Sequence, residues 1–203
     1  MGRMPTAGFE VVETARGGVA GVVRGGTVCF RGIPYAASPV RELRFAPPRP
    51  HRGWAGVRDG ATAGPSVPQA TSRLERVQGV RVPDRAEDGS LSVNVFAPRG
   101  AIGERAARAE LVWWHGGGFT SGSGGWDGYD GGRLAALGDI AVVSATYRLE
   151  PWGYLYLPEA GVANLGFQDQ VALLRWAGRT SPRSAATPTG SRWAGSPPAR
   201  SRR

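Results

Sequence analysis

Apolar and polar positions alternate in short runs early in the chain and gather into solid apolar runs later. Phe9-Glu-Val-Val-Glu-Thr14 alternates in part, and Gly17-Gly18 closes it. Val19 to Val23 and Val28 to Phe30 follow, with Gly25-Gly26 between them. This pattern predicts short strands over residues 9–32. Residues 33–86 are rich in Pro, Gly and Arg and predict long surface loops. Leu91-Ser-Val-Asn-Val-Phe96 alternates again and predicts a strand. Glu110 to Trp114 and Ile140 to Tyr147 are apolar enough to be buried strands, the first running into Gly116-Gly117-Gly118. After Asn164, a residue suited to capping, Phe167, Val171 and Leu174 recur at i, i+4 and i+7 and predict a helix with one apolar face. Together these elements make an α/β domain over residues 9–176 behind a flexible N-terminus at 1–8. From Ala177 onward Trp193 is the one large apolar residue among Arg, Ser, Pro, Thr, Gly and Ala. Such a segment buries too little surface to offset its ordering entropy, so residues 177–203 are expected to be disordered.

Composition narrows this picture. The chain has 203 residues, 41% of them hydrophobic, enough for one domain or a piece of a larger one. No run approaches the ~18 to 20 apolar residues of a bilayer-spanning helix, and residues 1–10 hold no apolar stretch of the kind a secretory signal needs. No membrane partner is therefore expected. One cysteine, Cys29, excludes an internal disulfide and a cysteine-based zinc site, and no metal or cofactor is expected. All 25 basic residues are Arg, as a very GC-rich gene would encode. Residues 177–203 hold six of them and no acid, so the pI of about 11.0 mostly describes this tail. Disordered Arg segments bind phosphate backbones without sequence preference, but these six lack interleaved aromatics, and no specific nucleic-acid partner is expected.

The chemistry-bearing segments lie in the apolar body. They are Phe30-Arg-Gly-Ile-Pro-Tyr-Ala36, Leu43-Arg-Phe45 with Pro47-Pro48, Trp54, and Glu87-Asp88 before Leu91. After them come His115-Gly-Gly-Gly-Phe119, Tyr129-Asp-Gly131, Tyr147-Arg-Leu149 and Asn164-Leu-Gly166 with Asp169-Gln170. In order and spacing this set resembles the type-B carboxylesterases, the family of cholinesterases and bacterial para-nitrobenzyl esterases. The resemblance implies the truncated N-terminal part of an α/β-hydrolase fold, with a central mixed sheet, acting on a small-molecule carboxylic ester. It implies that Gly117 and Gly118 supply oxyanion-hole donors, since a Cβ there would block the approach of a carbonyl oxygen to backbone N–H groups. It also implies two buried structural ion pairs, Arg44 with Glu87 and Arg148 with Asp169, whose guanidinium forks match carboxylates in two-point contact. Where many members carry a disulfide, this chain has Val67 before Pro68-Gln69 and Gly89 after Glu87-Asp88. Losing both partners together suits a reducing, cytoplasmic compartment.

Of the two histidines, His115 belongs to the glycine loop, and His51 reads as a solvated loop residue. Trp113, Trp114, Trp126 and Trp152 fit either a pocket wall or the core, and core is the commoner use. No Ser has Gly at both −2 and +2, so the nucleophile elbow of such an enzyme is missing, and no catalytic acid or base follows. The tail stands where the elbow belongs. Read one nucleotide earlier through GC-rich codons, residues 179–184 become Glu-Asn-Val-Ala-Ala-Phe. The next residues become Gly-Gly-Asp-Pro-Asp-Arg-Val-Thr-Val-Gly-Gly-Gln-Ser-Ala-Gly, with the nucleophile codon straddling Ser196 and Pro197. A nucleotide lost just after Trp176 accounts for this. The chain is then an inactive fragment of a serine esterase. The alternative is a non-catalytic, partner-binding protein on the same fold. The sequence leaves the oligomeric state open.

Overall fold

The computed structural model describes residues 8–77, 84–102, 108–180 and 192–195. Among the described residues eight strands form one sheet. They are β1 (Phe9–Thr14), β2 (Gly17–Arg24), β3 (Thr27–Pro34), β4 (Val57–Asp59), β5 (Ser92–Pro98), β6 (Glu110–Trp114), β7 (Ala141–Ala145) and β8 (Arg192–Gly195). Their order is β1-β2-β3-β5-β7-β6-β8, with β4 paired to β2. Successive strands from β1 through β2, β3 and β5 to β7 pair antiparallel, and β6 pairs parallel with β7 and with β8. The change of direction has a local cause. Two-residue turns join β1 to β2 and β2 to β3, whereas β6 and β7 are linked across the glycine loop and helix α2 (Gly132–Gly138). Helices α1 (Arg73–Val77), α3 (Glu150–Tyr154) and α4 (Leu165–Thr180) complete the described elements.

The main core lies on one face of the sheet. Val28, Phe30, Ile33, Leu91, Val93, Val112 and Val143 from the strands meet Leu173, Trp176 and Ala177 of α4. On the other face Cys29, Phe96 and Val142 pack against Ala135 of α2. The β-branched residues of β7 serve both faces, as expected of a strand covered on each side.

Several expectations shift. The loop-rich stretch 33–86 includes β4 and α1, and Val67 within it is fully buried beside Tyr147 and Leu149. The helix beginning after Asn164 has a different inner face. Leu165, Asp169, Leu173, Trp176 and Ala177 are buried, whereas Phe167 is 60% exposed. The apolar reading missed this face because an acid, Asp169, sits in its middle. Helix α4 also runs to Thr180, past the limit expected at 176, because Ala177 continues the buried stripe. Arg192–Gly195, expected to lack structure, pairs as β8 along β6, with Trp193 opposite Val112. An open strand edge accepts extended backbone whatever its side chains. Residues 1–7, 181–191 and 196–203, which include the expected flexible N-terminus, most of the tail and the Ser196–Pro197 junction, lie outside the described residues.

Candidate functional site

Strand β6 ends at Trp114, and the chain leaves the sheet at His115 into the glycine loop. His115 is 2% exposed. Its ring stacks on Tyr147, with centroids 4.4 Å apart and planes 9° apart. The Tyr147 hydroxyl donates to the His115 carbonyl at 2.9 Å. His115 Nδ1 lies 3.0 Å from the Gly116 carbonyl. A carbonyl only accepts, so Nδ1 carries the proton and Nε2 keeps its lone pair. Nε2 has no partner among the described residues. Burial pushes the imidazole down to about 4, with the Gly116 hydrogen bond opposing. The ring is neutral at pH 7, and it acts as a wedge that fixes where the loop begins.

The loop is shaped by backbone contacts that exclude side chains. Gly117 has φ +130°, and a Cβ there would fall 1.8 Å from the Ser121 carbonyl oxygen. The Gly117 carbonyl accepts from the N–H groups of Thr120 and Ser121 at 3.2 and 3.3 Å and from the Thr120 hydroxyl at 3.0 Å. Gly118 has φ +63° with open space where a Cβ would be. Among the described residues, the N–H groups of Gly117 and Gly118 meet no protein acceptor. They lie at the C-terminal end of a parallel strand, where open α/β sheets bind ligands.

Buried polar groups hold the far side of the loop. The Thr146 hydroxyl accepts from Gly124 N–H at 3.2 Å. The Asn94 amide donates to the Gly124 carbonyl at 3.0 Å, as does the Ser144 hydroxyl at 2.9 Å. Asn94 Oδ1 accepts from Gly32 N–H at 3.1 Å, tying the loop to β3. These residues were not singled out from the sequence. Their one signal was polarity at inward positions of otherwise apolar strands, as in Val93-Asn-Val95.

Arg148 and Asp169 form a two-point ion pair, with Nε to Oδ2 and Nη2 to Oδ1 both 2.8 Å. The Arg148 N–H adds a third bond to Asp169 at 3.0 Å. Both side chains are almost wholly buried. Arg148 Nη1 also reaches the carbonyls of Arg44 and Ala46 at 3.1 and 2.9 Å, so the pair pins the 44–46 turn to α4. Arg44 meets Glu87 at 2.7 Å, but its side chain is 47% exposed, so this pair is not the buried one expected. Trp152 donates to Glu87 Oε1 at 2.9 Å. Trp126 is buried, and Trp113 and Trp114 are half-buried on β6. His51, expected to be solvated, accepts from Gly53 N–H at 3.0 Å and packs on Trp54. Burial and nearby Arg58 and Arg16 lower its pKa.

A cleft of about 270 Å³ lies elsewhere, lined by Arg24, Thr27, Cys29, Asp130 and Arg133. Burial pushes the Cys29 thiol up, with Asp130 adding to it, which favours the protonated thiol over the nucleophilic thiolate. Among the described residues no cluster of His, Cys, Asp or Glu fits a metal ion, and no helix is long and apolar enough to cross a membrane.

Antiparallel strands feeding a parallel pair, with a glycine loop at the end of β6 and a helix packed on the sheet, form the N-terminal part of an α/β-hydrolase fold. Residues 9–180 match the carboxylesterase family. The para-nitrobenzyl esterase of Bacillus subtilis is 40% identical over 170 residues, which is 82% of this chain and 34% of that protein. The phenmedipham hydrolase of Pseudarthrobacter oxydans is 38% identical over 167 residues, 82% of this chain and 33% of its own. A solved para-nitrobenzyl esterase structure superposes with a TM-score of 0.83 at 38% identity, over 92% of this chain and 38% of that one. The chain belongs to the carboxylesterase family, and it spans about a third of the length of these curated relatives.

Proposed function

We propose that this chain carries the N-terminal portion of a serine-type carboxylic ester hydrolase, and that Gly117 and Gly118 are its oxyanion donors. The observation that carries this reading is the pair of N–H groups without protein acceptors, on a loop fastened at both ends. Donors fixed before the reaction stabilise charge without reorganising, and one is worth ~3 to 4 kcal/mol of barrier. The substrate class is a small-molecule carboxylic ester, in line with the esterases and hydrolases among the relatives. The parent mechanism is attack by a serine activated by His and an acid, through an acyl-enzyme.

In this reading the 203 residues alone do not turn over esters. The G-x-S-x-G elbow is absent from them, and the shifted frame of the tail holds one, with its serine codon straddling Ser196 and Pro197. Polarising a carbonyl without a nucleophile leaves water to attack. We also propose a reducing compartment for the protein, supported by Val67 and Gly89 at the positions of the family disulfide. The test is hydrolysis of para-nitrophenyl esters by the purified chain, run beside labelling with a fluorophosphonate. No turnover and no labelling are expected. Turnover with labelling would overturn the claim of inactivity.

A further inference from the structure

The glycine loop is held at its far end by one side chain from a distant loop. Gly122 N–H donates to Gln69 Oε1 at 2.7 Å, and Gln69 Nε2 donates back to the Gly122 carbonyl at 2.8 Å. A side-chain amide thus pairs with a backbone residue at two points, 53 positions along the chain. Gln69 is itself anchored, because Nε2 also reaches the Val67 carbonyl at 3.2 Å, and Val67 is fully buried. Gly122 has no room for a side chain. At φ +126° a Cβ would fall 2.1 Å from His115 Nδ1 and 2.5 Å from the Gly116 carbonyl oxygen. The Gln69 amide therefore presses Gly122 onto the base of the loop. Between the two fastened ends lie Gly117 and Gly118, whose N–H groups meet no protein acceptor among the described residues. The Phe119 carbonyl, at the tip, receives Glu150 N–H at 2.8 Å.

We infer that Gln69 is a positioning residue for the glycine loop: its two-point contact with Gly122 sets the backbone orientation of Gly117 and Gly118. The inference rests on reading those glycines as oxyanion donors. Its test reads the loop itself, so a failure of the clamp and a failure of the esterase reading give different results. A chain that proves not to belong to an ester hydrolase can still have a clamped loop, and an esterase can lack the clamp.

The experiment is amide-resolved hydrogen exchange on the 203-residue chain, with the β5 and β7 amides as a control for global folding. The probes are the N–H groups of Thr120, Ser121 and Gly122. In Gln69→Leu at pH 7 these three should exchange about tenfold faster or more than in the parent chain, the loss of about one buried hydrogen bond, while β5 and β7 stay protected. Gln69→Glu separates the hydrogen bond from packing. Above its titration the carboxylate still accepts from Gly122 N–H but cannot donate to the Gly122 carbonyl, so the two-point contact falls to one and the loop loosens. Once protonated it regains one O–H donor, so protection corrected for intrinsic exchange returns towards the parent value near pH 4 to 5. If Gln69→Leu loses the β5 and β7 amides as well, the Gln69→Glu comparison at pH 7 decides. Parent-like protection of the three loop amides in Gln69→Glu at pH 7, or in a folded Gln69→Leu, would overturn the assignment.

Discussion

At the scale of single residues, two neighbouring glycines have unlike reasons for being glycine. Gly117 is surrounded by backbone, with the Ser121 carbonyl where a Cβ would go, whereas Gly118 faces open space. Gly117→Ala should therefore deform the loop and lower stability by more than about 2 kcal/mol. Gly118→Ala should lower it by about 1 kcal/mol, from its positive φ alone. Urea titration of both variants checks the ranking, and equal losses would contradict it. His115 gives a dependence on pH. Its folded pKa of about 4 lies below the ordinary 6.5, so between those values the unfolded chain binds the extra proton. Stability from His115 is then fully present above pH 6.5 and is lost as pH falls towards 4. At about 1.4 kcal/mol per pH unit the gap corresponds to about 3 kcal/mol. In His115→Gln the part of the slope between pH 4 and 6.5 that His115 supplies should vanish, leaving a smaller contribution of the same sign from His51 and one of opposite sign from Asp169, whose carboxyl is pushed up by burial. An unchanged slope would show that the ring is not buried neutral. The Arg148–Asp169 pair sets a third expectation. Asp169→Ala leaves a guanidinium buried without its partner and should remove about 3 to 5 kcal/mol, whereas Glu87→Ala, beside a half-exposed Arg44, should remove about 1 kcal/mol or less. Similar losses from the two variants would contradict the difference in burial.

Elements were legible in the sequence where one periodicity governed them. Strands β1 to β3, β5, β6 and β7 announce themselves by alternation or by solid apolar runs, since a sheet face tolerates little else. Short elements did not. Helix α2 offers Leu134 and Leu137 to solvent and buries Ala135, so its pattern resembles a polar loop with stray apolar residues. Helix α4 was legible as a helix but not in its orientation, because a buried acid interrupts the inner stripe and an exposed Phe167 imitates it. That error carries its own test. Leu173→Ala should lower stability by about 2 to 5 kcal/mol, and Phe167→Ala should change it by about 0.5 kcal/mol or less. The reverse order would restore the helix face read from the sequence. The candidate site was partly legible for a similar reason. A run of three glycines after an apolar strand is a local signal, so Gly117 and Gly118 stand out. Gln69, Asn94 and Thr146 act on the loop from elsewhere in the chain, and no spacing rule brings them together.

At the scale of the whole molecule, the body and the tail obey different rules. Through Thr180 the chain has a sheet with both faces occupied, a buried ion pair, and the family match. Beyond it the sequence is rich in Arg, Ser and Pro without an apolar stripe or an alternation, and Arg192–Gly195 pairs as β8 against β6. In the proposed function a one-nucleotide shift of frame gives this tail a nucleophile elbow. We propose that the coding sequence after Trp176 holds the remainder of an esterase in the wrong frame. The direct measurement is fluorophosphonate labelling of two proteins, one from the gene as it stands and one with a single nucleotide restored after codon 176 and read on. The account predicts no labelling of the first and stoichiometric labelling of the second, on the serine whose codon straddles Ser196 and Pro197. Labelling of the unrepaired chain, or none in the repaired one, would contradict it.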